Sequence, residues 1–327
     1  MAEISVMLLG AGNFGVSWAN DILPLCAGEA RLAAVTDRDP ARLDMVSAES
    51  EKYTDLEEAL TAVRPDLVIN ATQPDAHLTT NRLLLERGFP VLCEKPLADS
   101  LEAAEQTGKT VSETNGFLMI GENYRYSPVM RAARAYLDSG EPGVVHRISC
   151  LFRHDHPDYS RFYHGSLKHP LLEDVTIHHL DLARYLSGRE PVNVDCRAYT
   201  APYSWYGERY ASAGIWTEMT GGVIFEYSGT LASPASTTPW NGCWEIECGN
   251  GVLQILNDRL YAVRGEDRTE IPVGNREEES RAVMLREACA ALREGRRGET
   301  DFSDNIRTYR WMQAAAEASE TKRTVSI

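Results

Sequence analysis

Gly10-Ala11-Gly12-Asn13-Phe14-Gly15 constrains this chain more than any other stretch, because it joins an apolar, β-rich run, Ile4–Leu9, directly to a helical stretch, Val16–Cys26. Glycines at this spacing between a strand and a helix let bare backbone approach a pyrophosphate at the helix N-terminus. The competing reading is a plain tight turn, which the strand before it and the helix after it argue against. Gly10, Gly12, Asn13, Phe14 and Gly15 are therefore candidate dinucleotide-binding residues. Asp37 ends the next β-rich run, 22 residues after Gly15. A carboxylate there accepts hydrogen bonds from ribose hydroxyls and repels a 2′-phosphate, which favours NAD. Arg38 keeps NADP open as a second choice, since a guanidinium at that edge can hold the phosphate or stack on adenine.

The first 120 or so residues continue this alternation, with strands expected at Ile4–Leu9, Leu32–Thr36, Leu67–Ala71, Val91–Cys93 and Phe117–Ile120 and helices between them. That order matches a dinucleotide-binding α/β fold with a parallel sheet. Later segments are longer and return at close spacing: Val145–Phe152, Val192–Tyr199, Ala211–Thr217, Val223–Gly229, Cys243–Cys248 and Val252–Leu256. Gly221-Gly222 and Asn250-Gly251 turns between them indicate a large, mostly antiparallel sheet, interrupted by one helical insertion, Leu172 to Leu186. At 327 residues the chain suits two domains, a nucleotide-binding one over 1–122 and an α+β one over 123–327. A helical tail, Glu277 to Glu320, is expected to pack on one of them.

Composition excludes several classes. A net charge of −15 disfavours a nucleic-acid surface, which needs clustered Lys and Arg. No apolar run is long enough to cross a bilayer, and Met1-Ala2-Glu3 lacks the basic start of a signal peptide. Seven scattered cysteines, odd in number and without a Cys-x-x-Cys pair, read as reduced thiols in a cytoplasmic protein.

Glu94-Lys95-Pro96 follows the apolar Pro90-Val91-Leu92-Cys93. In an open parallel sheet the carboxyl ends of the strands line the ligand crevice, so a lysine delivered there points into a site. A surface ion pair is the bland alternative. By the same logic Thr72, Pro74 and His77, after Leu67-Val68-Ile69, and Asn123, after the strand at Phe117, are candidate neighbours of the nicotinamide ribose. His77 reads equally well as a helix-start residue satisfied by local hydrogen bonds.

Asp174, His178 and Asp181 are spaced to share one helical face. An imidazole with a carboxylate one turn away is a plausible general base for a hydroxyl proton; the alternative is the solvated face of an amphipathic helix. His179 points about 100° away and is assigned to packing or hydrogen bonding. Seven of the eight histidines lie between 146 and 179, which suggests a metal through His154, His156, His164, His169 or His178. No H-e-x-x-H or equivalent spacing supports it, and no metal is expected.

With these motifs in this order, the chain resembles the Gfo/Idh/MocA oxidoreductases over nearly its full length. The resemblance implies an N-terminal Rossmann domain, a C-terminal domain whose open sheet serves oligomer contacts in a dimer or tetramer, and NAD(P)-dependent chemistry on a secondary alcohol. It implies that Lys95 hydrogen-bonds the reacting hydroxyl, Asp174 positions substrate and His178 accepts the proton, with Glu94 beside the cofactor and Asp181 a structural partner. Lys168-His169-Pro170-Leu171 and Thr176 stand where many members carry glycines, and Thr72-Gln73-Pro74 replaces a common Thr-Pro-Asn. Arg125, Arg153 and His154, with His156, Tyr203, Trp205 and Trp240, are candidate substrate contacts, since aromatic planes suit sugar C–H faces and arginines suit carboxylates or phosphates. A sugar, cyclitol or sugar derivative is the expected substrate. The competing functions are an NAD(H)-binding sensor without chemistry and a metal hydrolase built on the histidines.

Overall fold

The computed structural model describes residues 3–158, 160, 165–235 and 237–327. The chain divides into two compact units: Met1–Asn123 with Glu279–Ile306, and Tyr124–Glu278 with Arg307–Ile327.

The first unit is built on β1 (Ile4–Leu9), β2 (Ala30–Thr36), β3 (Glu51–Tyr53), β4 (Leu67–Asn70), β5 (Val91–Cys93) and β6 (Leu118–Ile120), in the spatial order β3-β2-β1-β4-β5-β6. Every pairing in this sheet is parallel. Val6 to Leu8, Leu67 to Ile69 and Val91 to Cys93 are essentially inaccessible. Strands covered on both faces are apolar without alternation, as the short runs in the sequence implied. Glu51-Lys52-Tyr53 was not anticipated, because a polar edge strand carries no such run.

Helix α1 (Asn13–Ser17) passes into a π turn, Trp18–Ile22, and then a 3₁₀ turn, Leu23–Cys26. The single helix expected to Cys26 is thus broken up. Pro24 lies in the 3₁₀ turn and has no N–H to give to an α-helical ladder. The helices α2 (Pro40–Leu43), α3 (Leu56–Val63), α4 (Pro74–Glu86) and α5 (Leu101–Thr114) follow. Asp39, Asp55 and Ser100 cap α2, α3 and α5 through their side chains.

In the second unit α6 (Pro128–Asp138) precedes β7 (Val145–Arg153), a π turn at Leu171–Thr176 and α7 (Ile177–Ser187). Strands β8 (Pro191–Tyr199), β9 (Ser212–Met219), β10 (Val223–Thr230), β11 (Cys243–Cys248), β12 (Gly251–Leu256), β13 (Arg259–Arg264) and β14 (Asp267–Ile271) complete the sheet with β15 (Val325–Ser326). The nine strands run β14-β13-β12-β11-β7-β10-β9-β8-β15, antiparallel throughout except β7 with β10. β13, β14 and β15 were not expected from the sequence. One sheet face buries Ile148, Phe152, Phe225, Tyr227, Trp244 and Ile246. The other carries Arg147, which pairs with Glu226 and Glu247, and leaves Trp216 41% exposed. This alternation is the period of two that one-sided burial imposes.

The helical tail resolves into α8 (Ser280–Glu294) and α9 (Phe302–Thr321). α8 belongs to the first unit: Arg286 donates to Glu29 at 2.9 Å and to the Leu25 carbonyl at 2.8 Å. Most of α9 belongs to the second, where Trp311 lies edge-on to Phe225 at 5.3 Å and donates to Thr217 Oγ1 at 3.1 Å. Phe225 also faces Trp244 at 6.2 Å. Phe225→Ala should remove about 3–5 kcal/mol from the second unit, read as an earlier urea midpoint for the transition of its tryptophans.

Candidate active site

At the carboxyl end of β1 the glycine loop closes on itself. Gly10 has φ +94°, and a β-carbon there would lie 2.8 Å from the Ala71 carbonyl oxygen. At Gly15 a β-carbon would stand 1.9 Å from the Gly10 carbonyl oxygen. Both positions demand glycine, so the loop presents bare backbone. The helical ladder opens with Val16 N–H donating to Gly12 O at 2.8 Å, and no side chain caps α1. The first N–H groups of the helix, which have no partner inside it, can therefore meet an anion. These residues fit a dinucleotide pyrophosphate.

Asp37 ties the end of β2 to this loop. Its Oδ2 accepts Ala11 N–H at 2.7 Å and its Oδ1 accepts Asp39 N–H at 2.9 Å. Arg38 is exposed beside it. Arg42 brings Nη1 to 3.7 Å from the position of a Gly12 β-carbon. Phe14 is 54% exposed, and the Arg281 guanidinium lies 5.8 Å from its ring centre while donating to Ser17 Oγ at 3.2 Å.

The ends of β4 and β5 are braced by side chains. Thr72 Oγ1 donates to Asn70 Oδ1 at 2.7 Å, and Pro74 opens α4. His77 is wholly buried, with Nδ1 2.9 Å from the Pro96 carbonyl and Nε2 3.1 Å from that of Thr72. Burial pushes its pKa below the ordinary imidazole value despite those carbonyls. His77 thus bridges the segments that follow β4 and β5, through the Thr72 and Pro96 carbonyls. Glu94 Oε1 accepts the Trp18 indole N–H at 2.7 Å, and its Oε2 accepts Lys95 N–H at 3.3 Å. Lys95 is half-buried and precedes a cis peptide to Pro96. Asn123 donates to Ser280 Oγ at 2.8 Å.

In the second unit Asp174 lies in the π turn, one residue after Glu173, and His178 lies in α7. The single regular helix expected here is thus widened at its start. Glu173 accepts His169 N–H at 2.9 Å, and burial raises its carboxyl pKa. His178 is buried and stacks on Tyr124, with ring centres 4.0 Å apart and planes at 16°. Asp181 is buried as the partner of Arg125, which donates from Nε to Oδ2 at 2.8 Å and from Nη2 to Oδ1. Thr308 Oγ1 donates to the same Oδ1 at 3.3 Å. Arg125, expected at the substrate, is thereby committed to an internal ion pair, the arrangement that a buried guanidinium requires.

At the far end of β7, Arg153 is exposed and His154 stacks between Phe152 at 5.4 Å and Trp240 at 4.0 Å. Partial burial lowers the His154 pKa. The His156 carbonyl accepts the Trp205 indole N–H at 3.0 Å, and Tyr203, 69% exposed, donates to the Ala232 carbonyl at 2.9 Å. His179 is buried between Tyr227 OH at 3.3 Å and the Trp240 carbonyl at 2.9 Å. His169 stacks on Tyr210 and meets Glu320 at 3.0 Å. His164 lies outside the described residues. Among the described residues no three His, Cys, Asp or Glu side chains are grouped to hold a metal ion.

Comparison with known proteins agrees with this geometry. Residues 4–122 match the family model for the oxidoreductase family with an NAD-binding Rossmann fold, and residues 130–254 match the GFO/IDH/MocA C-terminal domain. The chain belongs to the Gfo/Idh/MocA oxidoreductases. Inositol 2-dehydrogenase of Rhizobium meliloti is 27% identical, with 98% of each chain covered. D-apiose dehydrogenase of Rhizobium rhizogenes is 25% identical, over 100% of this chain and 98% of its own. An oxidoreductase from Agrobacterium radiobacter, solved with NAD+, L-tartaric acid and magnesium, superposes with a TM-score of 0.89 at 23% identity, covering 99% of this chain and 98% of that one.

This Gfo/Idh/MocA chain is thus an oxidoreductase with an NAD-binding domain. Sequence reasoning passed over Trp18, Arg42, Tyr124 and Arg281. Only Trp18 and Tyr124 carried any signal, as large aromatics beside motifs already singled out. Asp181→Ala would strand the Arg125 charge in the interior and should cost about 3–5 kcal/mol. Urea unfolding measures that loss, and replacing Arg125 by Met in the same chain should recover part of it.

Proposed function

We propose that the protein oxidises a secondary alcohol of a sugar, cyclitol or sugar derivative, with NAD as hydride acceptor. The observation that carries this reading is the placement of Lys95: it leaves β5 at its carboxyl end, and the neighbouring Glu94 is bonded to Trp18 of the helix that follows the glycine loop. Strand carboxyl ends are where ligands bind in open parallel sheets. The names of the inositol and apiose dehydrogenase relatives support the substrate class.

Oxidation removes a hydride from the alcohol carbon and a proton from its oxygen, leaving a ketone. NAD, when bound on the Gly10–Gly15 loop, supplies the hydride acceptor. Lys95 donates a hydrogen bond to the reacting hydroxyl, which favours its ionisation. His178 takes the hydroxyl proton, and Asp174 orients the substrate. Stacking on Tyr124 supports this role for His178, because a fixed ring plane fixes the direction of its nitrogen lone pairs. Asp37 supports NAD over NADP, since a second anion at the adenosine ribose would meet its carboxylate.

His154, Trp240 and Arg153 remain the substrate contacts we favour, as stacking and charged groups at one end of β7. Arg125 is not among them, because Asp181 already holds it. We further propose a homo-oligomer assembled through the open face of the nine-stranded sheet, supported by Trp216 at 41% and Tyr199 at 58% exposure. Seven free cysteines, six of them buried, suit the reducing cytoplasm. Among the described residues no helix is long and apolar enough to cross a membrane.

With NAD and a panel of cyclitols, aldoses and sugar acids, reduced nicotinamide should accumulate with at least one substrate. Lys95→Ala and His178→Ala should each lower kcat by roughly 10²–10⁴-fold while leaving NAD affinity nearly unchanged. Full turnover in both variants would refute the assignment. Trp216→Glu should shift the sedimentation coefficient to that of the monomer; an unchanged coefficient would rule out this face as the interface.

A further inference from the structure

We infer that Trp18 is a positioning residue for Lys95, acting through the Glu94 carboxylate and joining the helix after the dinucleotide loop to the lysine segment. The inference rests on the role proposed above for Lys95. Trp18 is wholly buried and opens the π turn, three residues after Gly15. An indole nitrogen is a donor only, so burial obliges it to find an acceptor. The acceptor is Glu94 Oε1, at 2.7 Å. A carboxylate acceptor makes the bond charge-assisted and shorter than a neutral one.

The same carboxylate grips the lysine's own backbone, since Oε2 accepts Lys95 N–H at 3.3 Å. Its freedom to shift is small. Glu94 N–H is fixed to the Asn70 carbonyl at 2.8 Å, and the Cys93 carbonyl just before it accepts Gly121 N–H at 2.8 Å. On the other side of Lys95, the Pro96 carbonyl is held by His77 at 2.9 Å. Lys95 therefore sits between two anchored residues, and Trp18 supplies the anchor that comes from the cofactor-binding helix. The π turn is a local departure from α-helical registry of a kind often found at functional sites. Loss of the indole N–H would release Glu94 and widen the range of positions open to the lysine, at the expense of rate more than of binding.

The plain alternative is that Trp18 only fills space. Trp18→Phe keeps an aromatic ring without the donor, and Trp18→His restores an N–H in a smaller ring. On the role proposed here, Trp18→Phe lowers kcat by about 10-fold with the NAD dissociation constant held within about 2-fold, and Trp18→His recovers part of the loss. In the cofactor-free protein, the rate of Lys95 acetylation by acetic anhydride, followed by mass spectrometry, should change by about 3-fold or more in Trp18→Phe. In a double-mutant cycle the losses from Trp18→Phe and Glu94→Gln should overlap instead of multiplying.

Equal losses in the Phe and His variants, multiplying losses in the cycle, or an unchanged acetylation rate would overturn the inference. Turnover that survives Lys95→Ala would overturn the lysine's role itself. Loss of turnover in Lys95→Ala with a fully active Trp18→Phe would overturn the positioning role alone.

Discussion

The Gly10 carbonyl oxygen occupies the space that a β-carbon at position 15 would need. That approach turns the chain from β1 into its helix within six residues, and it places two later groups. Ala11 N–H comes to rest on Asp37 at the end of β2. One turn along the helix, the Trp18 indole reaches Glu94 at the end of β5. Three strand ends are thus tied to one loop by two bonds to carboxylates, each stronger than a neutral hydrogen bond. The candidate catalytic lysine inherits its position from this arrangement.

In the second unit the organising pair is Arg125 with Asp181, both nearly inaccessible. Desolvating two charges is costly, and the pair holds because the guanidinium fork meets both carboxylate oxygens while Thr308 adds a third donor. It fixes the turn of α7 that lies just beyond His178. Arg147, by contrast, pairs with Glu226 and Glu247 on the open sheet face, where solvent screens the interaction and each pair contributes little. The same residue type therefore holds a buried carboxylate in one place and meets two solvated ones in the other.

The inner strands were legible because burial on both faces leaves an apolar run, and the paired strands of the second unit because turns at Gly221-Gly222 and Asn250-Gly251 punctuate them. β3 was invisible because Glu51-Lys52-Tyr53 lies at a sheet edge and is largely solvated. β14 was missed for the same reason, since Asp267 to Glu270 are exposed. The helices after the glycine loop and before His178 were expected to be regular, and each contains a π turn. Periodicity reports which residues face inward, and it does not resolve a ladder that is one residue wider.

By itself the sequence determined the glycine loop, the strands that frame it, the lysine at a strand end and the Asp-x3-His-x2-Asp spacing, together with membership of the family these motifs mark. Each depends on neighbours a few residues away, whose backbone preferences and apolar pattern are written locally. Tertiary structure alone decided the partners: Glu94 for Trp18 across 76 residues, Asp181 for Arg125 across 56, and Ser17 for Arg281 across 264. A buried polar group takes whichever complementary group the packed core brings within about 3 Å, and no local preference encodes which distant element that will be.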